Sequence, residues 1–233
     1  MKRLAILMLI FVLAPAAFAV DTWEVYPMGP SGIEFYMTRI GNGLEGPEGQ
    51  ATSLTIGPVW GIHETMHLYL FTGITHPDEG DGGLDFLNIG IFRNFYGGAD
   101  KTFKLDAYWE LSAFGPGLGM SSSLTGLEAN LDFEKLGFYG RPAVSWFHDE
   151  LGERDSAFSV STGAWRQLCP KGQLFVELVF AEVGEDLETQ SYAIGLNRLV
   201  SEQVELIFEL RSSEPPEDTG RSFDITLGAV TVW

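Results

Sequence analysis

The stretch TFKLDAYWELSAF, residues 102–114, is the best-patterned segment of the chain. Phe103, Leu105, Ala107, Trp109, Leu111 and Ala113 fall on one side of an extended chain, and Lys104, Asp106, Tyr108, Glu110 and Ser112 on the other. Successive side chains of a strand point to opposite faces, so six apolar positions at spacing two specify a strand with one apolar and one polar face. TGLEANLDFE, from Thr125, sets Leu127, Ala129, Leu131 and Phe133 against Glu128, Asn130, Asp132 and Glu134. QVELIFELR, from Gln203, sets Val204, Leu206, Phe208 and Leu210 against Gln203, Glu205, Glu209 and Arg211. SFDITLGAVTVW carries the rhythm to Trp233, with Phe223, Ile225, Leu227 and Ala229 opposite Ser222, Asp224, Thr226 and Gly228. Weaker copies at 31–40, 51–62, 66–75, 84–95, 138–147, 156–166, 173–182 and 190–199 bring the number of predicted strands to twelve, and no segment has a helical period. The segments 66–75 and 84–95 alternate too poorly to declare a face. Pro58 and Pro142 each remove a ladder hydrogen bond within a predicted strand, which argues for a bulge or a shifted boundary.

Two kinds of connection separate these strands. Longer acidic or Gly/Pro-rich loops (GNGLEGPEGQ, HPDEGDGG, GPGLGMSS, HDELGERD, VGEDLE and SEPPEDTG) follow the odd strands, and mostly shorter turns such as HET, KLG and SEQ follow the even ones. An even strand number, alternating long and short connections and about ten residues per strand are the pattern of a transmembrane β-barrel. A soluble β-sandwich also alternates, but its strands average about six residues, whereas several here sustain the pattern for the nine or more that a tilted strand needs to cross a bilayer. The polar faces differ too. In QSYAIGLNR, from Gln190, Tyr192, Ile194 and Leu196 oppose Ser191, Ala193, Gly195 and Asn197, small and polar residues that suit a crowded wet lumen better than an open surface. The expected fold is all-β, a closed antiparallel transmembrane β-barrel of about twelve strands.

Residues 1–19, MKRLAILMLIFVLAPAAFA, begin with Lys2 and Arg3, continue in apolar residues from Leu4 to Leu13 and end in the small-x-small arrangement of Ala17 and Ala19. They read as a cleaved secretory signal peptide, because ten apolar residues before Pro15 are too few to span a bilayer. Residues 20–233 then form a single barrel domain, with no linker composition to divide it. Removing Lys2 and Arg3 leaves 12 basic against 32 acidic side chains, a charge near −20. That balance argues against nucleic acid and anionic lipid surfaces as partners, since both demand basic patches. Cys169 is the single cysteine, so no intrachain disulfide holds the fold.

With these features together, the chain resembles Gram-negative outer-membrane β-barrel proteins. The resemblance covers everything after the leader and selects no subfamily. It implies export through the secretory pathway to the outer membrane, both termini in the periplasm, and a lipid bilayer as the surrounding partner. It also implies handling by periplasmic chaperones and by the barrel-assembly machinery, for which Phe223, Ile225, Leu227 and Trp233 resemble the terminal assembly signal. Phenylalanine is the usual last residue of that signal, so Trp233 departs from it, though tryptophan shares the apolar body and polar tip that place aromatics at membrane interfaces.

Assigning the apolar faces to lipid sends Glu34, Asp106, Glu110, Glu128, Asp132, Glu177, Glu205 and Glu209 into the lumen, against Lys104, Arg141 and Arg211. Either the charges pair across the lumen and plug it, or the surplus acid lines a water path and favours cations. Twelve strands lie between the filled eight-stranded barrel and the open sixteen-stranded porin, so size alone does not choose. The favoured reading is a narrow acid-lined pore or passive pathway for small solutes or cations. The alternatives are a structural or surface-interaction barrel with a plugged lumen and, last, a lipid-modifying enzyme.

The catalytic signals are weak. His63 and His76 fall in connections, His67 is the least implausible base, and Ser145 and His148 are three apart, which puts them on opposite faces of a strand. No His-x-Ser spacing or His-Glu-Ser-Asn-Gly run of the outer-membrane lipid hydrolases is present. HPDEGDGG (76–83) is oxygen-rich but lacks the spacing of a calcium loop, and EPPED (214–218) and GPGLG (115–119) read as solvated loops. No catalytic residue, metal site or cofactor is expected.

Overall fold

The computed structural model describes residues 29–42, 50–78, 82–97, 102–114, 120–148, 154–183, 186–214 and 222–233. The leader (1–19) and the loop segments 43–49, 79–81, 115–119 and 215–221 lie outside them. The twelve strands are β1 (Gly29–Asn42), β2 (Ala51–His63), β3 (Met66–Pro77), β4 (Gly83–Tyr96), β5 (Phe103–Phe114), β6 (Met120–Phe133), β7 (Leu136–His148), β8 (Arg154–Cys169), β9 (Gly172–Val183), β10 (Asp186–Leu199), β11 (Val204–Ser213) and β12 (Ser222–Val232). They match the alternating segments one for one. Each pairs antiparallel with its sequence neighbours, and β12 closes on β1 from Gly32↔Val232 to Asn42↔Ser222.

The outward positions in the middle of every strand are mostly apolar. Phe35, Ile56, Ile74, Ile89, Trp109, Leu127, Phe138, Phe158, Leu178, Ile194, Phe208 and Leu227, one from each strand in order, are all exposed. A soluble monomer rarely shows a contiguous apolar patch beyond a few hundred Å². A continuous apolar belt around a barrel whose backbone is paired all the way round is what hydrocarbon surroundings require.

Pro58 and Pro142 do not bend their strands. The β2–β3 register is the same on either side of Pro58 (Ile56↔Thr72, Val59↔Tyr69), and so is the β6–β7 register around Pro142 (Gly126↔Ala143, Ala129↔Gly140). Neither proline interrupts those registers, though the β1–β2 ladder shifts between Pro30 and Gly32, opposite Trp60 and Val59, beside Pro58. Other bulges occur near strand ends, as at Asp85, where Gly73↔Phe86 gives way to Ile74↔Leu84. That extra residue flips the phase of β4 and explains the poor alternation of 84–95.

Inside, aromatic rings lie flat over glycines of the adjacent strand. A Cβ on Gly90 would come within 2.2 Å of the Tyr69 ring, on Gly126 within 2.3 Å of Tyr108, and on Gly163 within 2.4 Å of Tyr139. Gly57 under Phe71, Gly73 under Phe86, Gly195 under Phe175 and Gly228 under Tyr36 repeat the device. The inward glycines are therefore seats for rings, which cover backbone that would otherwise be bare. Replacing Gly90 by Ala displaces the Tyr69 ring and is expected to cost about 1–3 kcal/mol of overpacking. Gly140→Ala, where an added Cβ meets nothing within 4 Å, is expected to be neutral; urea unfolding midpoints in lipid vesicles compare the two.

Candidate functional site in the barrel interior

The polar faces of β4 to β7 build one hydrogen-bonded band. Arg141 donates from Nε to Glu128 Oε2 at 2.6 Å. Asn130 Nδ2 donates to Glu128 Oε1 at 2.8 Å and to Asp106 Oδ2 at 3.4 Å, and Asn94 Nδ2 reaches Asp106 Oδ1 at 2.6 Å. A second band spans β7 to β11. Arg211 donates to Glu209 at 2.9 Å, to Glu177 at 2.8 Å and to Ser191 Oγ at 3.0 Å. The Tyr139 hydroxyl, whose ring lies over Gly163, donates to Glu177 Oε2 at 2.6 Å. The Arg141 guanidinium lies 5.5 Å from the centre of the Tyr139 ring and so brings the two bands together. Glu110 accepts from Tyr69 at 3.1 Å and from Ser112 at 3.0 Å, and Glu34 from Tyr36 at 2.7 Å. Burying a carboxylate is costly unless its oxygens keep hydrogen bonds, and the polar faces supply them from the same strand two residues away and from other strands.

Every charged residue expected at the lumen sits at an inward position. Glu34, Asp106, Glu110, Glu128, Arg141, Glu177, Glu209 and Arg211 are buried; Glu205 is half-buried, as are Lys104 and Asp132, which pair at 2.8 Å. Phe223, Ile225 and Leu227 face outward and Trp233 is exposed just beyond β12. Sequence reasoning missed the other half of the interior. Tyr36, Val59, Tyr69, Phe71, Phe86, Phe114, Ile207 and Val230 form one apolar cluster along the arc from β11 through β12 and β1 to β5. Its signal was present in β3 and β4, whose two faces are both apolar and therefore hide the period.

One strand differs from the rest. Each other strand has several buried inward residues, but β8 has none among those described. Ser159, Ser161, Gly163, Trp165 and Gln167, at inward positions fixed by pairing with β7 and β9, are all half-exposed. Since the wall shields these side chains from outside, their exposed surface is lumenal. Partly exposed inner surface thus lies on β8 at Ser159 and Ser161 on one side of Gly163, which the Tyr139 ring covers, and at Trp165 and Gln167 on the other.

His67 is fully buried with its ring stacked on Phe92 at 4.9 Å, a packing position in the wall. Ser145 is buried and inward, while the side chain of His148 is outside the described set. Among the described residues no three His, Cys, Asp or Glu side chains gather as a metal site. At the long-loop rim, Arg39 donates to both carboxylate oxygens of Asp78, one at 2.6 Å, and to Gln50 and Thr52, tying β1 to the start of the β3–β4 connection.

Closure, apolar belt and charged interior define a membrane-spanning β-barrel of the outer-membrane type. No protein-family model matches the chain, and no curated protein matches its sequence. Solved structures do match it. An outer membrane channel from Pseudomonas putida F1 superposes with a TM-score of 0.67 at 13% identity, covering 92% of this chain and 100% of that one. The NanC porin gives 0.64 at 10% identity, over 86% of this chain and 99% of the porin. The translocator domain of the autotransporter NalP from Neisseria meningitidis gives 0.61 at 11%, over 100% and 97%. The shared feature is the fold, that of Gram-negative outer-membrane barrels.

Two outcomes are expected. Arg141→Met strands Glu128 without its cation and should destabilise the barrel by about 3–5 kcal/mol, much of it restored in Arg141→Met/Glu128→Gln; equilibrium unfolding of both variants measures this. At the rim, the hydrogen bonds from Arg39 hold the Asp78 carboxyl below its ordinary value of 3.8. A depressed acid contributes above that value and loses its contribution as pH falls through the lowered one. Hydrogen-exchange protection of the Asp78 amide, bonded to Gln50 O at 2.9 Å, should therefore fall below about pH 4, and the Arg39→Gln variant should lack that pH dependence.

Proposed function

We propose that this protein is a narrow, passive, cation-preferring channel for small solutes in the outer membrane. The observation that carries the reading is the partial exposure of the inward residues of β8, where the other strands bury several of theirs. The electrical preference follows from the buried charges. Among the described residues six buried acids, Glu34, Asp106, Glu110, Glu128, Glu177 and Glu209, face two buried arginines, Arg141 and Arg211. Such an imbalance makes the potential in a confined low-dielectric passage negative and concentrates cations there. Two of the structural neighbours are described as a porin and a channel, which supports a passive role over a catalytic one. Removal of residues 1–19 on export, delivery by periplasmic chaperones and recognition of the β12 end by the assembly machinery belong to the same proposal.

The burial of inward side chains on the other strands favours one rival, a structural barrel with a closed lumen. Planar-bilayer recordings separate them. The channel reading expects small discrete current steps, a reversal potential in a salt gradient that reports cation preference, and a several-fold smaller step in Ser161→Trp, which adds bulk to the inner face of β8. Glu110→Gln, which removes an acid bonded only to neutral Tyr69 and Ser112, should weaken the cation preference while leaving the steps. A silent bilayer with correctly folded protein gives the closed barrel instead.

A further inference from the structure

Three of the strands that descend to the short turns carry an arginine at their last outward positions but one. On β4 the outward series ends Ile91, Arg93, Phe95; on β8 it ends Ala164, Arg166, Leu168; on β10 it ends Leu196, Arg198 and then Val200 just past the strand. All three arginines are exposed, and the apolar residue beyond each is exposed as well. Register places them at the short-turn end: Arg93 opposite Met66, Arg166 opposite Leu136, and Arg198 opposite Gly172. Lys135 and Lys171, in the β6–β7 and β8–β9 turns between them, are also exposed. Among the described residues no carboxylate pairs with any of the five; Arg93 instead lies 4.9 Å from the centre of the Phe95 ring.

An arginine with apolar neighbours on both sides along the membrane face sits at the edge of the hydrocarbon. Its stem lies along the belt, and its guanidinium reaches toward the headgroups. Near the interface that placement costs little, about 0–1 kcal/mol, but the charge still lacks a partner. The planar guanidinium matches a phosphate in a two-point hydrogen bond that an ammonium cannot reproduce. No acid among the described residues meets these cations, and a lipid phosphate is an anion present at that depth. We propose that Arg93, Arg166 and Arg198, with Lys135 and Lys171, form a collar that binds the phosphates of anionic phospholipid in the leaflet around the short-turn end. The collar rests on the membrane-spanning barrel and is independent of whether the lumen conducts.

The test compares the full mature chain reconstituted in vesicles of phosphatidylcholine alone and in vesicles of phosphatidylcholine mixed with phosphatidylglycerol. The wild type should unfold at a higher urea concentration in the anionic vesicles, with the gain shrinking in high salt. Arg93→Gln/Arg166→Gln/Arg198→Gln should lose most of that gain while matching the wild type in phosphatidylcholine. An equal midpoint for the wild type in both vesicles, or a triple variant that keeps the whole gain, overturns the collar. Should the triple variant fail to insert, native mass spectrometry of wild type and single variants released from the mixed vesicles decides. Retained phosphatidylglycerol exceeding its share of the vesicle lipid, and reduced by each Arg→Gln change, supports the collar; retention in proportion to the vesicle composition rejects it.

Discussion

Inside hydrocarbon a backbone N–H or C=O has no water to turn to, and each one left unpaired costs several kcal/mol. The pairing of β1 with β12 is therefore the contact on which the rest of this structure depends. Without it two strand edges would face lipid; with it, from Gly32↔Val232 to Asn42↔Ser222, the sheet has no edge. Closure also explains how the wall tolerates Pro58 and Pro142. Each loses one donor, but the neighbouring strands are locked in register around the whole circumference, so the strand cannot slip to relieve the loss. At the seam side chains add to the ladder, with Thr38 and Thr226 in hydroxyl contact at 3.0 Å, Thr231 Oγ1 donating to Ile33 O at 3.3 Å and the Tyr36 ring over Gly228. The seam is held by the same backbone bonds as every other pair.

Once the sheet is closed, its inner face must be filled or wetted. The chain does this with two chemistries on two arcs. From β11 round to β5, rings and branched side chains pack against one another, and several rings are seated on glycines. From β4 to β11, carboxylates are buried against arginine, asparagine, serine and tyrosine. Tyrosine serves both arcs. Tyr69 covers Gly90 with its ring and reaches Glu110 on the strand beyond with its hydroxyl, and Tyr139 does the same over Gly163 to Glu177. The ring closes a gap in the apolar wall while the hydroxyl satisfies a buried acid, so one residue type joins the two regions.

The number of strands and most of their faces were legible because a period of two is a property of a single strand. The twelve alternating segments and the inward set of charges, Glu34 through Arg211, need no knowledge of neighbours. What was illegible depends on neighbours. Phe86 and Phe92 point in while Leu87 and Ile89 point out, so β4 has apolar residues on both faces and no contrast to read, and the bulge at Asp85 resets its phase. The inward glycines suggested a wet lumen from composition alone. Whether a glycine borders water or lies under a ring depends on the residue across from it, and that is fixed by register around the barrel, which the sequence of one strand does not contain. Pro142 misled for the same reason, since the cost of a missing donor is set by how firmly the adjacent strands hold.

The same reasoning locates the least buried part of the interior. A barrel of twelve strands has more interior than aliphatic side chains of ordinary size would fill, and here the aromatic rings close most of the difference. β8 contributes Ser161 and Gly163 where β7 contributes Arg141 and Tyr139 and β9 contributes Val179 and Glu177, so these two positions of β8 add little side-chain volume of their own. Tyr139 is held across Gly163 by its bond to Glu177, and Phe175, seated on Gly195, packs with Trp165, so both rings are committed to fixed places beside β8. The hydrogen bonds and ring seats that make the rest of the interior compact thus also set where it is least buried, on a strand near a surplus of carboxylates whose charge the two buried arginines only partly offset.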